Sequence, residues 1–380
     1  METTRTEPLS ARRLVRYGRG PLVVKIGSSL LIEDRAKPRV DWMRALAARL
    51  SQRPGPVLLV SSGAIGLGRE ALGLDGRPAS LAEAQAAAAV GQIRLAQAWA
   101  EAWSEQQRTA AQVLLTLADL EDRGRYLNAR NTVETLIHRG IVPVINENDT
   151  VATGEIRFGD NDRLAARVAL LAGAELLMLL SDVDGLHRTD PRLDPDAERI
   201  GEVPRIDADI EALAGSAEST GFGTGGMVSK IAAARIAVDG GCPVLLAGGA
   251  GDDDPVDAVE RGGGTHFHAT ERPLARRKHW LRSLQRPAGA IRIDAGAAAA
   301  LRRGASLLAT GVVQVEGEFE RGAPVSIDGP DGPLGLGLAG YDSREAGVIV
   351  GHHSDRFEEL LGYAGRGAVV HRDDLVLFER

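Results

Sequence analysis

The stretch Leu22-Val-Val-Lys-Ile-Gly-Ser-Ser29 sets the pattern that decides the fold of the N-terminal part of the chain. Its first five residues form an apolar run broken only by Lys25, which is typical of a short strand buried on both faces of a sheet. Gly27 follows at once and lets the chain turn tightly. The turn would bring backbone amides and the Lys25 ammonium to one point, which favours an anion site. The structural alternative is a lysine that extends from the strand end to water.

Short apolar runs alternate with helical patterns from residue 22 to residue 250. The predicted strands are Leu22–Ile26, Val57–Val60, Val113–Leu115, Ile141–Ile145, Leu176–Leu180 and Val244–Leu246. The predicted helices are Asp41–Ser51, Leu81–Gln107, Asn128–Arg139, Arg163–Leu171 and Met227–Val238. This alternation predicts an α/β fold in which helices cover a mainly parallel sheet. Ligands in such folds bind beyond the carboxyl ends of the strands.

Polar motifs follow two more of the predicted strands. Ser61-Ser-Gly-Ala-Ile-Gly66 comes after the second strand, and Asn146-Glu-Asn-Asp149 comes directly after the strand that ends at Ile145. Gly159-Asp-Asn-Asp162 lies shortly beyond and repeats the same residue types. These carboxylates and amides suit the ammonium group of an amino acid. A serine helix cap and a plain polar turn are the structural alternatives.

A glycine-rich loop, Gly223-Thr-Gly-Gly-Met-Val-Ser-Lys230, leads into a predicted helix. Such a loop wraps phosphates with backbone amides, and Lys230 would lie about one turn inside the helix, beside the transferring group. Residues 221–226 match the dinucleotide pattern G-x-G-x-x-G, but no apolar strand precedes them, and the chain has no Walker A motif. Together with Lys25, the loop predicts a phosphate site with two lysines, unless its glycines serve structure alone.

Composition excludes several classes of protein. The net charge of -7 and the pI near 5.7 argue against a general binder of nucleic acids or membranes, which needs a positive surface. The single cysteine, Cys242, cannot form an internal disulfide, as expected in a reducing cytoplasm. No apolar stretch has the length of a signal peptide or a membrane span, so we expect a cytoplasmic protein with a flexible N-terminus over residues 1–20. His266-Phe-His268 and His352-His353 lack a third ligand at a plausible spacing, so no protein metal site is predicted.

The pattern changes after Gly248. Residues 21–270 are predicted to form the first domain, and residues 271–287 are predicted to form a linker. Short alternating segments separated by glycines then predict a small β-rich domain over residues 288–370, with a tail at 371–380. Its predicted strands are Ile291–Ile293, Val312–Val315, Pro324–Ile327 and Gly347–Val350.

Taken in order, six motifs resemble those of the glutamate 5-kinase family, in the amino-acid kinase superfamily. The resemblance runs from about Leu22 to His268, and the C-terminal domain looks like the PUA module that many of these kinases carry. It implies the three-layer amino-acid kinase fold. The motifs are Lys25–Ser29, Ser61–Ile65, Ile141–Asp149, Phe158–Asp162, Ser181–Leu186 and Gly223–Lys230.

The resemblance implies ATP-dependent phosphorylation of the γ-carboxylate of L-glutamate, the first step of proline biosynthesis, with Mg²⁺ bridging the β and γ phosphates. Glutamate is already ionised near neutral pH, so the reaction needs charge neutralisation rather than a general base. Lys25 and Lys230 would flank the transferring group, and Asp162, or less favourably Asp160, would orient them. The implied ATP contacts are Lys25, Ser181, Asp182, Thr224, Gly225, Gly226, Met227, Val228, Ser229 and Lys230. The implied glutamate contacts are Ser62, Asp149 and Asn161.

The resemblance also implies a homo-oligomer and feedback inhibition by proline at the glutamate pocket. Arg157 departs from the usual lysine, and Ser181 replaces the usual threonine but keeps the hydroxyl. Kinases acting on acetylglutamate, aspartate, carbamate or UMP remain alternatives, although the Asn146–Asp149 block favours free glutamate. RNA binding through the C-terminal domain is disfavoured, because residues 288–380 contain nine arginines and no lysine against fourteen acidic residues.

Overall fold

The structure is a computed structural model of the 380-residue chain. It describes residues 10–33, 37–74, 78, 80–152, 160–194, 196–214, 226–250, 254–269, 287–365 and 367–378. The chain divides into two compact units. The first comprises Met1–Glu121 and Asn128–Glu271, and the second comprises Asp122–Leu127 and Arg272–Arg380. No helix in the described ranges combines the length and the hydropathy needed to cross a bilayer.

Strands and helices alternate along the first unit. The strands are β1 (Leu22–Ile26), β2 (Ile32–Glu33), β3 (Lys37–Pro38), β4 (Val57–Ser61), β5 (Ala110–Leu115), β6 (Val142–Glu147), β7 (Leu176–Ser181), β8 (Leu186–His187), β9 (Arg199–Ile200), β10 (Glu202–Val203), β11 (Val244–Gly248) and β12 (Thr265–Phe267). The helices are α1 (Ala11–Tyr17), α2 (Ser28–Leu31), α3 (Val40–Ser51), α4 (Ala64–Gly68), α5 (Leu81–Ser104), α6 (Leu117–Glu121), α7 (Arg123–His138), α8 (Asp160–Leu171), α9 (Ala208–Leu213), α10 (Met227–Asp239) and α11 (Pro255–Glu260).

Eight of these strands form one sheet in the order β10-β12-β11-β7-β1-β4-β6-β5. Neighbouring strands run parallel except for the antiparallel pair of β11 and β12. The predicted α/β fold with a mainly parallel sheet is therefore confirmed, as are all six strands and five helices predicted for this part of the chain. Their apolar runs are continuous because central strands such as β1, β4 and β7 are buried at every position.

The pleat of β1 assigns its residues to different faces of the sheet. Side chains alternate along a strand, so Leu22, Val24 and Ile26 share one face. They pack in an apolar core that also contains residues of α3 and α5. Lys25 lies on the opposite face, where α8 packs against β1 and α10 packs against α8. The alternation of side chains along β1 thus places Lys25, its one charged residue, on the face covered by α8 and α10.

The second unit is built on a five-stranded sheet in the order β14-β13-β15-β16-β17. Only the pair of β13 and β15 is parallel. The strands are β13 (Gly289–Ile293), β14 (Val312–Glu316), β15 (Pro324–Gly329), β16 (Gly332–Leu338) and β17 (Leu375–Leu377). The described helices are α12 (Ala295–Arg302), α13 (Ser343–Ile349) and α14 (Phe357–Leu361). The predicted β-rich character of this part of the chain is confirmed.

One predicted strand of the second unit is wrong. Gly347–Val350 reads as a short apolar run, yet residues 343–349 form helix α13. The reason lies upstream, where the Asp342 side chain accepts hydrogen bonds from the backbone of Arg344 and Glu345. The Glu345 side chain in turn accepts from the Asp342 backbone, which completes a capping box.

The structure also contains elements that the sequence did not predict. Strand β16 has the sequence Gly-Pro-Leu-Gly-Leu-Gly-Leu, whose glycines and proline mask its alternation. Strand β17 pairs with β16 and lies within the segment assigned to a C-terminal tail. Helix α1 lies within the segment assigned to a flexible N-terminus, and it forms because Ala11 and Val15 are buried in the core of the first unit.

Candidate active site

Parallel pairing brings the carboxyl ends of neighbouring strands to one edge of the first sheet. Ile26 of β1 is in register with Ser61 of β4 and with Leu180 of β7. Val60 of β4 is in register with Ile145 of β6. The polar motifs that follow these strands therefore start at the same level of the sheet, although more than a hundred residues separate the first from the last.

Asp162 lies between the two predicted lysines. It is fully buried in the first turn of α8, and one of its oxygens, Oδ1, is 2.5 Å from Nζ of Lys25. Its other oxygen, Oδ2, is 3.9 Å from Nζ of Lys230 and accepts a 2.6 Å hydrogen bond from the Ser229 hydroxyl. We refer to Lys25, Asp162 and Lys230 as the triad. The structure thus brings together the three residues that the resemblance implies to be catalytic.

The electrostatics of the triad follow from its burial. Burial acts to raise the pKa of Asp162, but the ammonium groups of Lys25 and Lys230 and the hydrogen bonds outweigh it and hold the pKa below its ordinary value. Burial also lowers the pKa of Lys230, and Lys25 lowers it further, against the attraction of Asp162. The triad with both lysines protonated carries one excess positive charge, which an anionic ligand would offset.

A network of amides lies beside the triad. Asn146 is buried at the end of β6, donates to Oε1 of Gln92 over 2.6 Å and accepts from the Asn161 side-chain amide over 3.0 Å. The backbone N–H of Glu147 donates to both asparagine oxygens, at 2.9 Å for Asn146 and 3.2 Å for Asn161. Asn161 precedes Asp162 in α8, so this network fixes the start of the helix that carries the central carboxylate.

Gln92 and Asn146 were not among the predicted site residues. Gln92 lies within α5, and nothing in the alanine-rich sequence of that helix marks it as different from a surface glutamine. Asn146 belongs to the motif Asn146–Asp149, but no local feature of the sequence distinguishes it from its neighbours. Its position as the last buried residue of β6 is the feature that singles it out.

The two serines at the carboxyl end of β4, Ser61 within the strand and Ser62 just beyond it, have different environments. Ser61 is fully buried, and its hydroxyl accepts a 2.8 Å hydrogen bond from the indole N–H of Trp99. Ser62 is half-buried, and its backbone N–H donates to the carbonyl of Ile26 at the end of β1. Ser61 is thus held by the core, and Ser62 is the serine at the strand end. Asp149, the third predicted glutamate contact, lies half-buried in the turn after β6.

Helix α4, which follows these serines, is positioned by close backbone contact with α5. Gly63 begins α4 with a φ of 105°, a conformation that favours glycine. A Cβ atom on Gly91 of α5 would lie 1.8 Å from the carbonyl oxygen of Ala64, and one on Gly68 would lie 1.9 Å from that of Ala87. Glycine at both crossing points therefore fixes the distance of α4 from α5.

The predicted nucleotide contacts are described only in part. Ser181 is buried at the end of β7, where its hydroxyl donates to Asp182 over 3.0 Å and its carbonyl accepts from Gly249. Gly226 precedes the first turn of α10, and Val228 in that turn is exposed. Met227 and Ser229 are half-buried. Thr224 and Gly225 lie outside the described residues, as does Arg157, and the side chain of Asp160 does too.

Comparison with protein families gives two matches. The amino acid kinase family matches residues 20–248, and the PUA domain matches residues 289–361. The first match covers the triad and all strands of the first sheet except β12, and the second match covers most of the second unit.

Individual relatives match nearly the whole chain. The glutamate 5-kinase of Agrobacterium fabrum is 50% identical over 361 residues, which is 94% of this chain and 92% of the relative. The glutamate 5-kinase of Ruegeria sp. is 51% identical over 362 residues, with 94% and 98% covered. That of Dinoroseobacter shibae is 52% identical over 362 residues, with the same coverage.

Proposed function

This chain belongs to the amino acid kinase family and, within it, to the glutamate 5-kinases, and from this premise we propose that it transfers the γ-phosphoryl group of ATP to the side-chain carboxylate of L-glutamate. The observation that supports the proposal is the triad, in which a fully buried aspartate holds two buried lysines at the carboxyl edge of the sheet. The product would be L-glutamyl 5-phosphate, the starting intermediate of proline biosynthesis.

The reaction that we propose requires no proton transfer. An oxygen of the glutamate γ-carboxylate attacks the γ-phosphorus, and the bond from that phosphorus to the β–γ bridging oxygen breaks, so that ADP leaves with the electron pair. The carboxylate is ionised near neutral pH, and the nucleophile therefore needs no base. The catalytic demand is to hold two anions together and to stabilise the charge that moves onto the leaving oxygen.

The lysines of the triad would meet that demand. Lys25 and Lys230 would neutralise charge on the transferring phosphoryl group, while Asp162 keeps the two ammonium groups at a fixed separation. Because Asp162 is already neutralised by its ion pairs and accepts from Ser229, we assign it a positioning role rather than that of a base. Because the two ammonium groups are already held in place, the site would not need to reorganise as charge develops in the transition state.

Glutamate would bind beside the triad at the amide network. Asp149 would accept from the α-ammonium group, and the side chains of Asn161 and Ser62 would contact the carboxylates. Ser62 suits this role better than Ser61, because the hydroxyl of Ser61 already accepts from Trp99 in the core. Ser181, Asp182 and the described part of the glycine loop, residues 226–230, would contact ATP.

Mg²⁺ fits this arrangement as a companion of the nucleotide. The carboxylate of the triad is engaged by two lysines and a hydroxyl, and it therefore offers no free oxygen to a resident ion. When bound with ATP, the ion would neutralise charge on the β and γ phosphates, held mainly by their oxygens.

The proposal is tested by ADP release with Mg-ATP and a panel of acceptors comprising L-glutamate, L-aspartate, N-acetylglutamate and UMP. We expect turnover with L-glutamate alone and its suppression by proline, which the family resemblance implies as an inhibitor at the glutamate pocket. Trapping of the acyl phosphate with hydroxylamine identifies the phosphorylated carboxylate. Turnover with another acceptor would leave the kinase fold in place but would contradict the roles given to Asp149 and Asn161.

A further inference from the structure

A cluster of metal-ligating side chains lies on the first unit apart from the triad. His266 and His268 are two residues apart on and just beyond β12, a spacing that places alternate strand residues on one face. Strand β10 pairs in parallel with β12, and Glu202 is in register with His266. The sequence gives the histidines no third ligand, but strand pairing supplies one from more than sixty residues upstream.

The three side chains converge on one point. Nδ1 of His266 is 2.9 Å from Oε2 of Glu202, and Nε2 of His268 is 2.8 Å from the same oxygen. One ligand atom from each residue lies within 4.8 Å of the other two. The imidazole centroids are 4.1 Å apart. Two nitrogens and one carboxylate oxygen therefore face a common centre.

Arg12 of α1 orients the carboxylate of this cluster. Its Nη1 donates to Oε1 of Glu202 over 2.7 Å, while its Nη2 and Nε donate to the carbonyls of Gly201 and Gly263. The guanidinium thus occupies one carboxylate oxygen and leaves the other, Oε2, to the histidines. Such an outer partner is typical of ligating carboxylates, whose orientation is fixed by a further hydrogen bond.

We propose that Glu202, His266 and His268 form a binding site for a divalent transition metal of the Zn²⁺ class, coordinated by Oε2, Nδ1 and Nε2 respectively. Two imidazoles and one carboxylate with an open fourth position suit Zn²⁺, Co²⁺ or Ni²⁺ rather than Mg²⁺, which prefers oxygen ligands. Ligands with bonds of about 2.0–2.1 Å are about 3.3 Å apart in a tetrahedron. The hydrogen-bonded groups need to separate by only about half an ångström to admit the ion.

The ion pair of Arg12 with Glu202 affects the affinity expected for the site. Because Arg12 offsets the charge of Glu202, we expect an affinity below that of a closed structural zinc site.

Occupation of the site would connect segments that are distant in the chain. The ligands join β10 to β12 directly, and Arg12 connects them to α1, which lies near the N-terminus. An ion that binds only the folded state stabilises that state, so metal binding would stabilise the packing of β10, β12 and α1 at this edge of the sheet. Its residues are not those of the triad, so the metal site does not rest on the proposed kinase reaction.

The experiment uses the full chain, freed of metal by chelation, and titrates it with Co²⁺ and Zn²⁺. We expect one equivalent of Co²⁺ to produce a visible absorption band and a rise in unfolding temperature, both displaced by Zn²⁺. His268→Ala should weaken binding at least about tenfold and abolish the thermal shift, because it removes one of three ligands. Glu202→Gln should weaken binding as well. Mg²⁺ without nucleotide should give no shift.

The matched control is the double variant His352→Ala, His353→Ala, which removes the other closely spaced pair of histidines and should bind Co²⁺ as the original chain does. Far-UV circular dichroism without metal checks that each variant is folded, and the partly exposed His268 makes its substitution mild. Unchanged Co²⁺ binding in His268→Ala, loss of binding in the control, or no binding by the original chain would each overturn the proposal.

Discussion

The two units of this protein place their charged groups differently. The first unit buries Lys25, Asp162 and Lys230 at the carboxyl edge of its parallel sheet. Among the described residues of the second unit, Asp374 is the buried charged residue, and the main core cluster is aliphatic and aromatic, with Tyr341 and Phe357 packed edge to face at 6.0 Å. Removing a charge from water costs several kcal/mol unless partners compensate it. A buried ion-pair triad is therefore not expected to stabilise the fold more than well-packed apolar residues would. The first unit therefore accepts this cost at the edge of the sheet where we propose that the reaction takes place.

The largest effect should come from removing the charge at the centre of the triad. Asp162→Asn leaves two buried ammonium groups that repel one another, and we expect turnover to fall by about a hundredfold or more. The free energy of unfolding should fall by about 3 kcal/mol or more, because an ion pair is broken while its partners remain buried. ADP release and thermal unfolding measure the two effects.

The stabilisation of Asp162→Asn by nucleotide provides a second test of the charge at the centre of the triad. ATP would supply the missing negative charge, so Mg-ATP should raise the unfolding temperature of Asp162→Asn more than that of the original chain. Wild-type turnover in Asp162→Asn would show that the lysines need no anion between them, and would break the distinction between the two units.

Deprotonation of Lys230 should lower activity at alkaline pH. Burial, followed by the repulsion of Lys25, lowers its pKa, so its proton is lost at a pH below the ordinary lysine range. Since the protonated form neutralises the phosphates, kcat/KM for ATP should fall as pH rises through this lowered pKa. Lys230→Arg keeps the charge and should abolish this alkaline decline, at reduced turnover, because a guanidinium is planar and larger.

Lys230→Ala completes the series and should lower turnover by about a hundredfold below the pKa of Lys230, with a smaller loss above it, where the original lysine has itself lost its proton. A pH profile for Lys230→Arg with the same alkaline decline as the original chain would assign that decline to another group.

A smaller effect should arise where α4 crosses α5. Gly91→Ala places a Cβ atom against the carbonyl of Ala64 and should shift the start of α4, which follows Ser62. We expect a loss of about 1–3 kcal/mol in the free energy of unfolding and a raised KM for glutamate at nearly unchanged KM for ATP. Gly347→Ala in α13 is the control, because nothing lies within 4 Å of its Cβ position.

Gly347→Ala should leave activity unchanged and stabilise α13 by up to about 1 kcal/mol, since alanine is the better helix former. Equal effects of the two substitutions on the KM for glutamate would show that the crossing does not position the substrate site.

The smallest effect should follow from a helix cap in the second unit. Asp342→Ala removes the hydrogen bonds to the backbone of Arg344 and Glu345. It should cost about 1 kcal/mol of stability without changing turnover. Chemical denaturation and ADP release, measured together, check both parts. A loss of turnover comparable to that of Asp162→Asn would contradict the proposal that the reaction depends on residues of the first unit alone.

Much of the fold was predictable because its signals are local. Continuous apolar runs identified six of the eight strands of the first sheet, all except the short strands β10 and β12, and parallel pairing placed the motifs after β1, β4 and β6 at one edge. The prediction from local sequence was wrong where two patterns competed. At Gly347–Val350 an apolar run is typical of a strand, but the capping box at Asp342 favours the helix that the structure contains. The prediction also missed β16, whose glycines weaken the strand pattern.

The site was predictable as a set of motifs but not as a geometry. The resemblance supplied Lys25, Asp162 and Lys230, while the order of contacts among them, with Asp162 in the centre, comes from the structure. Gln92 and Trp99 escaped prediction because α5 gives no chemical signal at either position.

The sequence determined most strands of the first sheet and the helices that separate them, because each depends on residues adjacent in the chain, and it predicted a phosphate site in the segments between them. The tertiary structure decided which serine at the end of β4 is held by Trp99, and that Glu202 meets His266 and His268. The physical reason is that strand pairing and helix packing join residues tens to hundreds of positions apart, and side-chain partners at such separations leave no trace in local pattern.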